Sequence, residues 1–359
     1  MAIKELKEIK VLEDLIVNQL KSFVRKIDCE AYYPRDFLTA LGKSGLLRSQ
    51  GLPESEILFR EVRLVEEIAK VCMTTAFNLW CHLASLTYIR KSDNLFLKNE
   101  ILPLLENGQL LGGTGLSNPM KYYAGIESLH LKAKRSAGGY NVSGQLPSVS
   151  NLGQDHWFGI IASVNEEERI MAFVPCHAKG LKLKEKLEYL GVNGSATYAC
   201  SFHDVFIPDD WIIAQQADEF VAKIRPVFVL YQIPLGLGVT EASIQSIEKI
   251  CNKQSGCNQF LSIQPDELLN ELKPLREKVY QLSESSDLTK HWKDLLQVRL
   301  DVVHLTLKAV QAGMLHHGGA GYIQKSDPSR RLRESYFLAN LTPTVKHLEK
   351  MIQSFIPVN

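Results

Sequence analysis

The sequence predicts an α+β protein with an N-terminal helical domain, a middle antiparallel β domain and a C-terminal helical bundle. Strand patterns and turns are concentrated in residues 112–213, whereas helical periodicity dominates on both sides of that segment. A chain of 359 residues is also long enough for two or three packed units. We therefore predict domains at residues 1–111, 112–213 and 214–359.

The first domain contains a helix, predicted over residues 74–89, that is apolar on nearly every side. A helix of this kind is buried on most of its surface. His82 lies within it, close to Trp80. The expected role of His82 is that of a core histidine satisfied by a neighbour, with a position lining a substrate pocket as the alternative.

The middle segment shows the period of two that is typical of half-buried strands. Leu129, Leu131 and Ala133 alternate with polar residues, and Gly138-Gly139 supplies a turn before the next strand. Further apolar runs follow at residues 157–164, 169–174, 181–184 and 197–207, separated by turn-forming residues. These runs predict a compact antiparallel sheet.

The C-terminal third predicts a bundle of helices. A long helical stretch over residues 218–253 carries Pro226 and Pro234, where we expect interruptions. Further helices are predicted over residues 268–282, 292–316, 330–339 and 344–355.

Charge and cysteine content limit the class of partner and the compartment. The 41 Lys and Arg residues against 40 Asp and Glu give a net charge of +1, so nothing favours nucleic acid or an anionic membrane as a partner. The 7 cysteines form no CxxC pair and no spacing typical of a metal site, which indicates reduced thiols and a cytoplasmic protein. The longest apolar stretch, residues 227–239, is interrupted and too short to span a bilayer.

Several short stretches occur in an order that resembles the acyl-CoA dehydrogenase family. Residues 115–119 (GLSNP) are similar to the family's L-T-E-P, and residues 140–151 to its Y-x-x-x-G-x-K-x-W-I-T-N. Residues 190–197 and 202–208 are similar to L-G-x-R-x-S-x-T and F-x-D-V-x-V-P, and residues 317–322 (HGGAGY) to h-G-G-x-G-Y. The resemblance implies a C-terminal four-helix bundle and FAD bound between the domains.

The resemblance also implies roles for three residues near the flavin. Leu116 and Ser117 would face its pyrimidine edge, and Ser150 would aim its hydroxyl at flavin N5 to tune hydride acceptance. Without the resemblance, Ser117 could simply start a turn and Ser150 could cap a strand end.

The glycine-rich segment has two interpretations. The resemblance implies that Gly318, Gly319 and Gly321 allow close approach of a dinucleotide bound largely by a neighbouring subunit, which requires a homodimer or homotetramer. The alternative is a tight turn between two helices. His316 and His317 could supply a titratable group near a flavin or could simply pack and cap a helix.

Departures from the family pattern fall at positions expected to touch the cofactor. Ser148 stands where the family has a Trp beside the flavin. Asn258 stands where the family has the Arg before Q-F-G, and Leu315 where it has the Gln three residues before GGxGY. The Gly-Ser-Asp that follows L-T-E-P is replaced in residues 120–125.

The largest departure from the family pattern concerns the base that removes a proton from the α-carbon of the substrate. The family's usual Glu corresponds to Thr342, a neutral hydroxyl that cannot act as that base. A second base position used by some members falls at residues 224–226, and no Asp or Glu occurs between Glu219 and Glu241. Thr344 retains the motif's Thr and could contact the cofactor or cap a helix.

Three hypotheses follow. The first is an FAD-dependent oxidoreductase that acts on an acyl thioester or a small hydrophobic molecule without the usual Glu. The second is a monooxygenase of the same fold, which would use reduced flavin (FAD, or FMN) and need no such base. The third is a non-catalytic scaffold that binds an acyl group or a partner.

Overall fold

The structure, a computed structural model, describes residues 2–186 and 188–355. Its N-terminal part is helical, as predicted. The helices there are α1 (Ala2–Leu15), α2 (Val24–Cys29), α3 (Arg35–Lys43), α4 (Glu54–Val71), α5 (Met73–Lys91) and α6 (Leu102–Glu106), with short π- or 3-10-helical turns at Ile16–Leu20, Lys21–Phe23 and Leu97–Ile101.

Helix α5 is the centre of the molecule. Every residue from Met73 to Ile89 is buried, which confirms the prediction of a helix covered on most sides. Its polar side chains reach three different regions. Asn78 Nδ2 donates to Gly194 O (3.1 Å), Trp80 Nε1 to Phe228 O (3.1 Å) and Ser85 Oγ to Gly113 O (2.9 Å).

The middle segment forms one sheet in the order β6-β7-β3-β2-β4-β5-β8, with β1 paired to β4. Its strands are β1 (Gly112–Thr114), β2 (Leu131–Ser136), β3 (Gly139–Val149), β4 (Trp157–Ser163), β5 (Arg169–Pro175), β6 (Leu181–Glu185), β7 (Tyr198–Pro208) and β8 (Ile212–Ala214).

Most of this pairing is antiparallel, as predicted, but β4 pairs in parallel with both β1 and β2. Between β1 and β2 the chain forms helix α7 (Ser117–Tyr123), which the sequence analysis did not predict. β1 and β2 lie one after the other along the same edge of β4, and α7 lies in the connection between these two strands.

The C-terminal part is a helical bundle, as predicted. Its helices are α8 (Ala217–Leu230), α9 (Ile233–Glu248), α10 (Pro265–Ser283), α11 (Trp292–His317), α12 (Asp327–Asn340) and α13 (Val345–Gln353), with short 3-10 turns at Gln254–Phe260, Leu288–His291 and Gly318–Ala320.

The expected interruption at Pro226 is wrong, because α8 continues through that residue. Pro226 cannot donate to the carbonyl of Ala222, but Ala222 is exposed, so water can satisfy that carbonyl. The break falls instead at Tyr231 and Gln232, and Pro234 lies in the first turn of α9, where a missing N–H costs little.

Residues 227–239 alone were expected to be too short to span a bilayer. The longer helical stretch Ala217–Glu248 is long and apolar enough to cross a membrane by length and composition. In the structure, 94% of the most apolar window is buried inside the protein. The apolar surface of α8 and α9 is therefore used for packing in the bundle core.

Candidate active site

A cavity of about 200 Å³ lies where α5, the sheet and the bundle meet. Its lining combines aromatic residues of the helices with hydroxyl-bearing residues of the β layer. The lining residues are Phe77, Trp80, Cys81, Thr114, Ser117, Ser148, Ser150, Tyr189, Val192, Ser195, Thr197, Phe228, Phe337, Asn340, Leu341 and Thr342.

The aromatic wall comes from three helices whose rings contact one another. Phe77 and Trp80 of α5 stack with ring centroids 5.5 Å apart. The ring of Phe337 from α12 meets Phe77 edge-on at 4.6 Å, and that of Phe228 from α8 meets Trp80 at 4.8 Å. These contacts hold the rings in fixed orientations, which gives the cavity a rigid apolar face.

The part of the lining that comes from the β layer contains a chain of hydroxyl groups. Ser150 Oγ lies 2.7 Å from Thr197 Oγ1, which lies 2.8 Å from Ser195 Oγ. Ser150 directly follows β3 and forms an antiparallel bridge with Thr114, whose hydroxyl lies 2.7 Å from Tyr88 Oη. The hydroxyls therefore satisfy one another and present a polar surface that can still donate or accept hydrogen bonds.

A third contact closes the cavity between the β layer and the bundle. Ser117, the first residue of α7, lies 3.0 Å from Thr342 between their hydroxyl oxygens. Thr342 lies in the connection between α12 and α13, so this bond joins two segments far apart in the sequence.

None of the lining residues in the described part of the chain carries a carboxylate or a cationic side chain. Helix α8 contributes Phe228 to the lining, and no residue of 224–226, the second expected base position, lies there. The groups within reach of a ligand are hydroxyls, one amide, one thiol and aromatic rings. Burial raises the pKa of the Cys81 thiol well above its ordinary value, so that this group stays neutral.

Four residues singled out from the sequence come together here: Ser117, Ser148, Ser150 and Thr342 all line the cavity. Leu116 and Thr344 do not line it. Leu116 is fully buried in the core beside the cavity. Thr344 is the N-cap residue of α13, but its side chain accepts no capping hydrogen bond, so the bond expected of a capping threonine is not formed.

The glycine-rich turn lies away from this cavity. Gly318 and Gly319 are exposed, and a Cβ added to either would meet nothing within 4 Å. His316 Nε2 contacts Ile263 O (2.9 Å), and His317 Nδ1 contacts Gly313 O (2.8 Å). Neither histidine lines the cavity, and both have the structural contacts of the packing interpretation. Gly321 packs closely against His317.

Two departures from the family pattern, Asn258 and Leu315, lie outside the lining of the cavity. Asn258 donates to Ile250 O (3.2 Å) within its own loop. The side chain of Leu315 is 57% exposed.

His82 is a core histidine, as expected, and does not line the cavity. Its Nδ1 accepts from the backbone N–H of Gly112 (3.0 Å), and its Nε2 contacts Leu105 O (3.1 Å). Burial is the main cause that lowers the pKa of His82 to about 3, so the ring is neutral at pH 7.

Sequence reasoning missed the residues that support the cavity from behind. Arg299 of α11 is fully buried; its Nε donates to Gln232 Oε1 (3.2 Å) and its Nη2 to Leu338 O (2.9 Å). Gln232 Nε2 in turn donates to Thr342 O (2.9 Å). Burial lowers the pKa of Arg299 to about 9, which leaves it charged at pH 7. The helical pattern of α11 contained no signal for this contact, because it joins α11 to α12 and to the break between α8 and α9.

The aromatic wall was also not predicted as part of the site, nor were four of the hydroxyl-bearing lining residues: Thr114, Tyr189, Ser195 and Thr197. Ser195 and Thr197 belong to the stretch similar to L-G-x-R-x-S-x-T, and that motif was the available signal. Trp80, Phe228 and Phe337 looked like ordinary core residues, because core packing and cavity lining leave the same apolar pattern in a sequence.

No family model matches the chain. The chain is 24% identical over 327 residues to mitochondrial isovaleryl-CoA dehydrogenase of Pongo abelii, an alignment that covers 84% of this chain and 76% of that protein. The chain is related to the acyl-CoA dehydrogenases.

Solved structures show the same fold. A glutaryl-coenzyme A dehydrogenase in complex with glutaryl-CoA matches 97% of this chain and 94% of its own, with a TM-score of 0.87 at 18% identity. The FAD complex of PigA matches 97% of both chains, with a TM-score of 0.82 at 15% identity. These matches confirm the acyl-CoA dehydrogenase fold predicted from the sequence.

The residues of the cavity fit the ring system of a flavin. A flavin ring is flat and aromatic, with hydrogen-bonding groups concentrated along one edge. The cavity offers an aromatic face formed by Trp80 and its neighbours, and its lining also includes the hydroxyls of Ser117 and Ser150. Both kinds of contact that such a ring needs are therefore present.

Proposed function

We propose that this protein is a flavin-dependent oxidoreductase that acts on an acyl thioester or a small hydrophobic molecule without a carboxylate base. The observation that carries the proposal is a cavity walled by aromatic rings and hydroxyls, with no charged side chain among its described lining residues, in a chain with the acyl-CoA dehydrogenase fold. A bound FAD would supply the hydride acceptor.

In this proposal the protein's own residues bind and orient. Ser117 and Ser150 hold the polar edge of the ring, with Thr197 fixing the orientation of the Ser150 hydroxyl through their 2.7 Å contact. Trp80, Phe77 and Phe337 exclude water from one side, which strengthens each hydrogen bond made inside. Ser148 stands where related proteins carry a Trp, so less of the ring would be covered there.

The uncharged lining also supports a reaction that does not use a carboxylate base. A carbon acid next to a thioester gives up its proton to a positioned base, and the hydroxyl of Thr342 is too weak a base for this at neutral pH. The usual dehydrogenation by a Glu is therefore not the proposed chemistry. The same observation favours a second candidate, a monooxygenase that uses reduced FAD or FMN with oxygen and needs no base at this position.

The remaining expectations become part of the proposal. The glutaryl-CoA complex of a similar structure supports an acyl-CoA as a candidate substrate. The protein is proposed to be cytoplasmic and to form a homodimer or homotetramer, in which the exposed Gly318 and Gly319 would approach a neighbour's cofactor. We propose no nucleic-acid or membrane partner.

The test is a visible absorption spectrum of the purified protein, before and after incubation with FAD or FMN and gel filtration. Flavin that elutes with the protein supports the proposal, and Ser150→Ala is expected to weaken its binding about fivefold. Ser143→Ala, on β3 and outside the cavity, is the matched control. Protein that stays colourless after incubation would contradict the proposal and leave the non-catalytic scaffold.

Oxygen consumption and dye reduction separate the two chemistries. Substrate-dependent use of oxygen with added reduced flavin would favour the monooxygenase. Reduction of an artificial electron acceptor by a simple acyl-CoA at ordinary enzymatic rates would contradict the absence of an effective base.

A further inference from the structure

Arg299 is a buried cation without an acidic partner among the described residues. It is fully buried on α11, and its Nη1 has no hydrogen-bond partner. Moving an ion out of water costs several kcal/mol unless a counter-ion or strong hydrogen bonds compensate. The bonds that it does make therefore indicate what the side chain does.

Both of these bonds lead to the segment that closes the cavity. Arg299 Nη2 binds the carbonyl of Leu338, in the last turn of α12, where a cation is favoured by the helix dipole. Arg299 Nε binds Gln232, which donates to the carbonyl of Thr342. Leu338 and Thr342 flank Asn340 and Leu341, which line the cavity together with Thr342.

Gln232 occupies the break between α8 and α9 and is also fully buried. Its amide has one donor and one acceptor end, and the structure uses the acceptor for Arg299 and the donor for Thr342. Glutamine is suited to this position because glutamate would pair with Arg299 but could not donate to a carbonyl when ionised.

We propose that Arg299 and Gln232 are positioning residues that hold the segment Leu338–Thr342 against the cavity, and thereby set the place of the Thr342 hydroxyl opposite Ser117. The inference rests on the proposed function in so far as this cavity is the active site. The positioning itself is a property of the protein without any ligand.

The decisive variant is Gln232→Glu, which keeps the shape of the side chain. The cation of Arg299 keeps the new carboxylate ionised, so the pair gains a charge interaction while the bond to Thr342 O is lost. We expect an unfolding midpoint equal to or above that of the wild type. Hydrogen exchange of peptides covering residues 338–345 is expected to become about fivefold faster, measured without flavin.

Two further variants complete the test. Arg299→Lys keeps the charge but cannot span both acceptors, and it should accelerate exchange in the same peptides. Thr240→Val is the matched control. It removes the 3.0 Å contact between the hydroxyls of Thr240 on α9 and Thr306 on α11, and neither residue lines the cavity. It should leave exchange of 338–345 unchanged.

The proposal is overturned if Gln232→Glu exchanges like the wild type in these peptides, or if Thr240→Val has the same effect. A flavin titration adds a second readout: Gln232→Glu should raise the dissociation constant for FAD about fivefold at unchanged stability. If the wild type binds no flavin, the proposed function fails, and the exchange measurement alone decides the positioning role.

Discussion

Ser117 and Thr342 lie 225 positions apart in the sequence, yet their hydroxyl oxygens are 3.0 Å apart in the lining of the cavity. One comes from the first turn of α7 and the other from the connection between α12 and α13. The β layer and the helical bundle therefore meet at the candidate active site, and this hydrogen bond connects the two parts there.

Thr342→Val tests this contact. The substitution keeps the branched shape but removes the hydroxyl, so we expect the free energy of unfolding to fall by about 1 kcal/mol. Urea denaturation measures the change. Thr344→Val is the control, since no side-chain bond of Thr344 would be lost. An equal loss in both variants would show that the Ser117 contact does not contribute.

The stability of the protein should depend on His82 in mildly acidic solution. The pKa of His82 is lowered to about 3 in the folded state from an ordinary 6.5. The unfolded chain therefore takes up a proton first, and stability falls as the pH falls from about 6.5 towards 3. The contribution to the slope is at most about 1.4 kcal/mol per pH unit.

Denaturation midpoints across this pH range measure the effect. His82→Gln should be less stable at pH 7 but should lose less stability on acidification. Some dependence remains, because burial also lowers the pKa of His156. His177→Gln, at an exposed position, should follow the wild type. A slope unchanged in His82→Gln would exclude His82 as a source of the pH dependence.

A buried ion pair within α12 is hydrogen-bonded to α5. Arg330 Nη1 lies 2.9 Å from Glu334 Oε2, and Glu334 Oε1 accepts from the backbone N–H (3.1 Å) and hydroxyl (2.9 Å) of Thr74. Glu334→Gln leaves the buried guanidinium without this charge, and we expect a loss of about 3 kcal/mol. Chemical denaturation measures it.

Two comparisons make that result specific. Asp327→Asn removes the other, largely exposed carboxylate near Arg330 and should cost less than about 1 kcal/mol. The double variant Arg330→Met with Glu334→Gln should recover part of the loss, since the buried charge is then gone. A Glu334→Gln protein as stable as the wild type would contradict the importance of the pair.

Thiol reactivity should separate the cysteines into two groups. Cys29, Cys251 and Cys257 are exposed, whereas the other four are buried. Burial also raises the pKa of Cys72 to about 11 and that of Cys81 well above its ordinary value. Ellman's reagent should therefore titrate three thiols in the native protein and seven after unfolding. Rapid reaction of a fourth thiol would indicate an opening of the core.

Local patterns predicted most of the fold. Helix α5 was predicted from its apolar residues, and the strands were predicted from the alternation of apolar and polar residues. Both signals depend only on residues close together in the sequence. The parallel pairing of β4 and the helix at Ser117 were not predicted, since they depend on where the chain returns to the sheet. The domain boundaries at 111/112 and 213/214 remain predictions.

The candidate site was predicted only in part. Ser117, Ser148, Ser150 and Thr342 were found through motifs, whereas Trp80, Phe228 and Phe337 were hidden among core residues. Arg299 and Gln232 were missed because a bond between residues 67 positions apart has no local signature in the sequence. The oligomeric state implied by Gly318 and Gly319 also remains a prediction.

Helix α5 has a further consequence for the protein as a whole. Through Asn78, Trp80 and Ser85 it is hydrogen-bonded to the loop before β7, to α8 and to β1. Without residues 73–89, the sheet and the helical bundle would each expose the apolar surface that α5 covers. The polypeptide should therefore melt in one cooperative transition, and neither the sheet nor the bundle should persist when expressed separately.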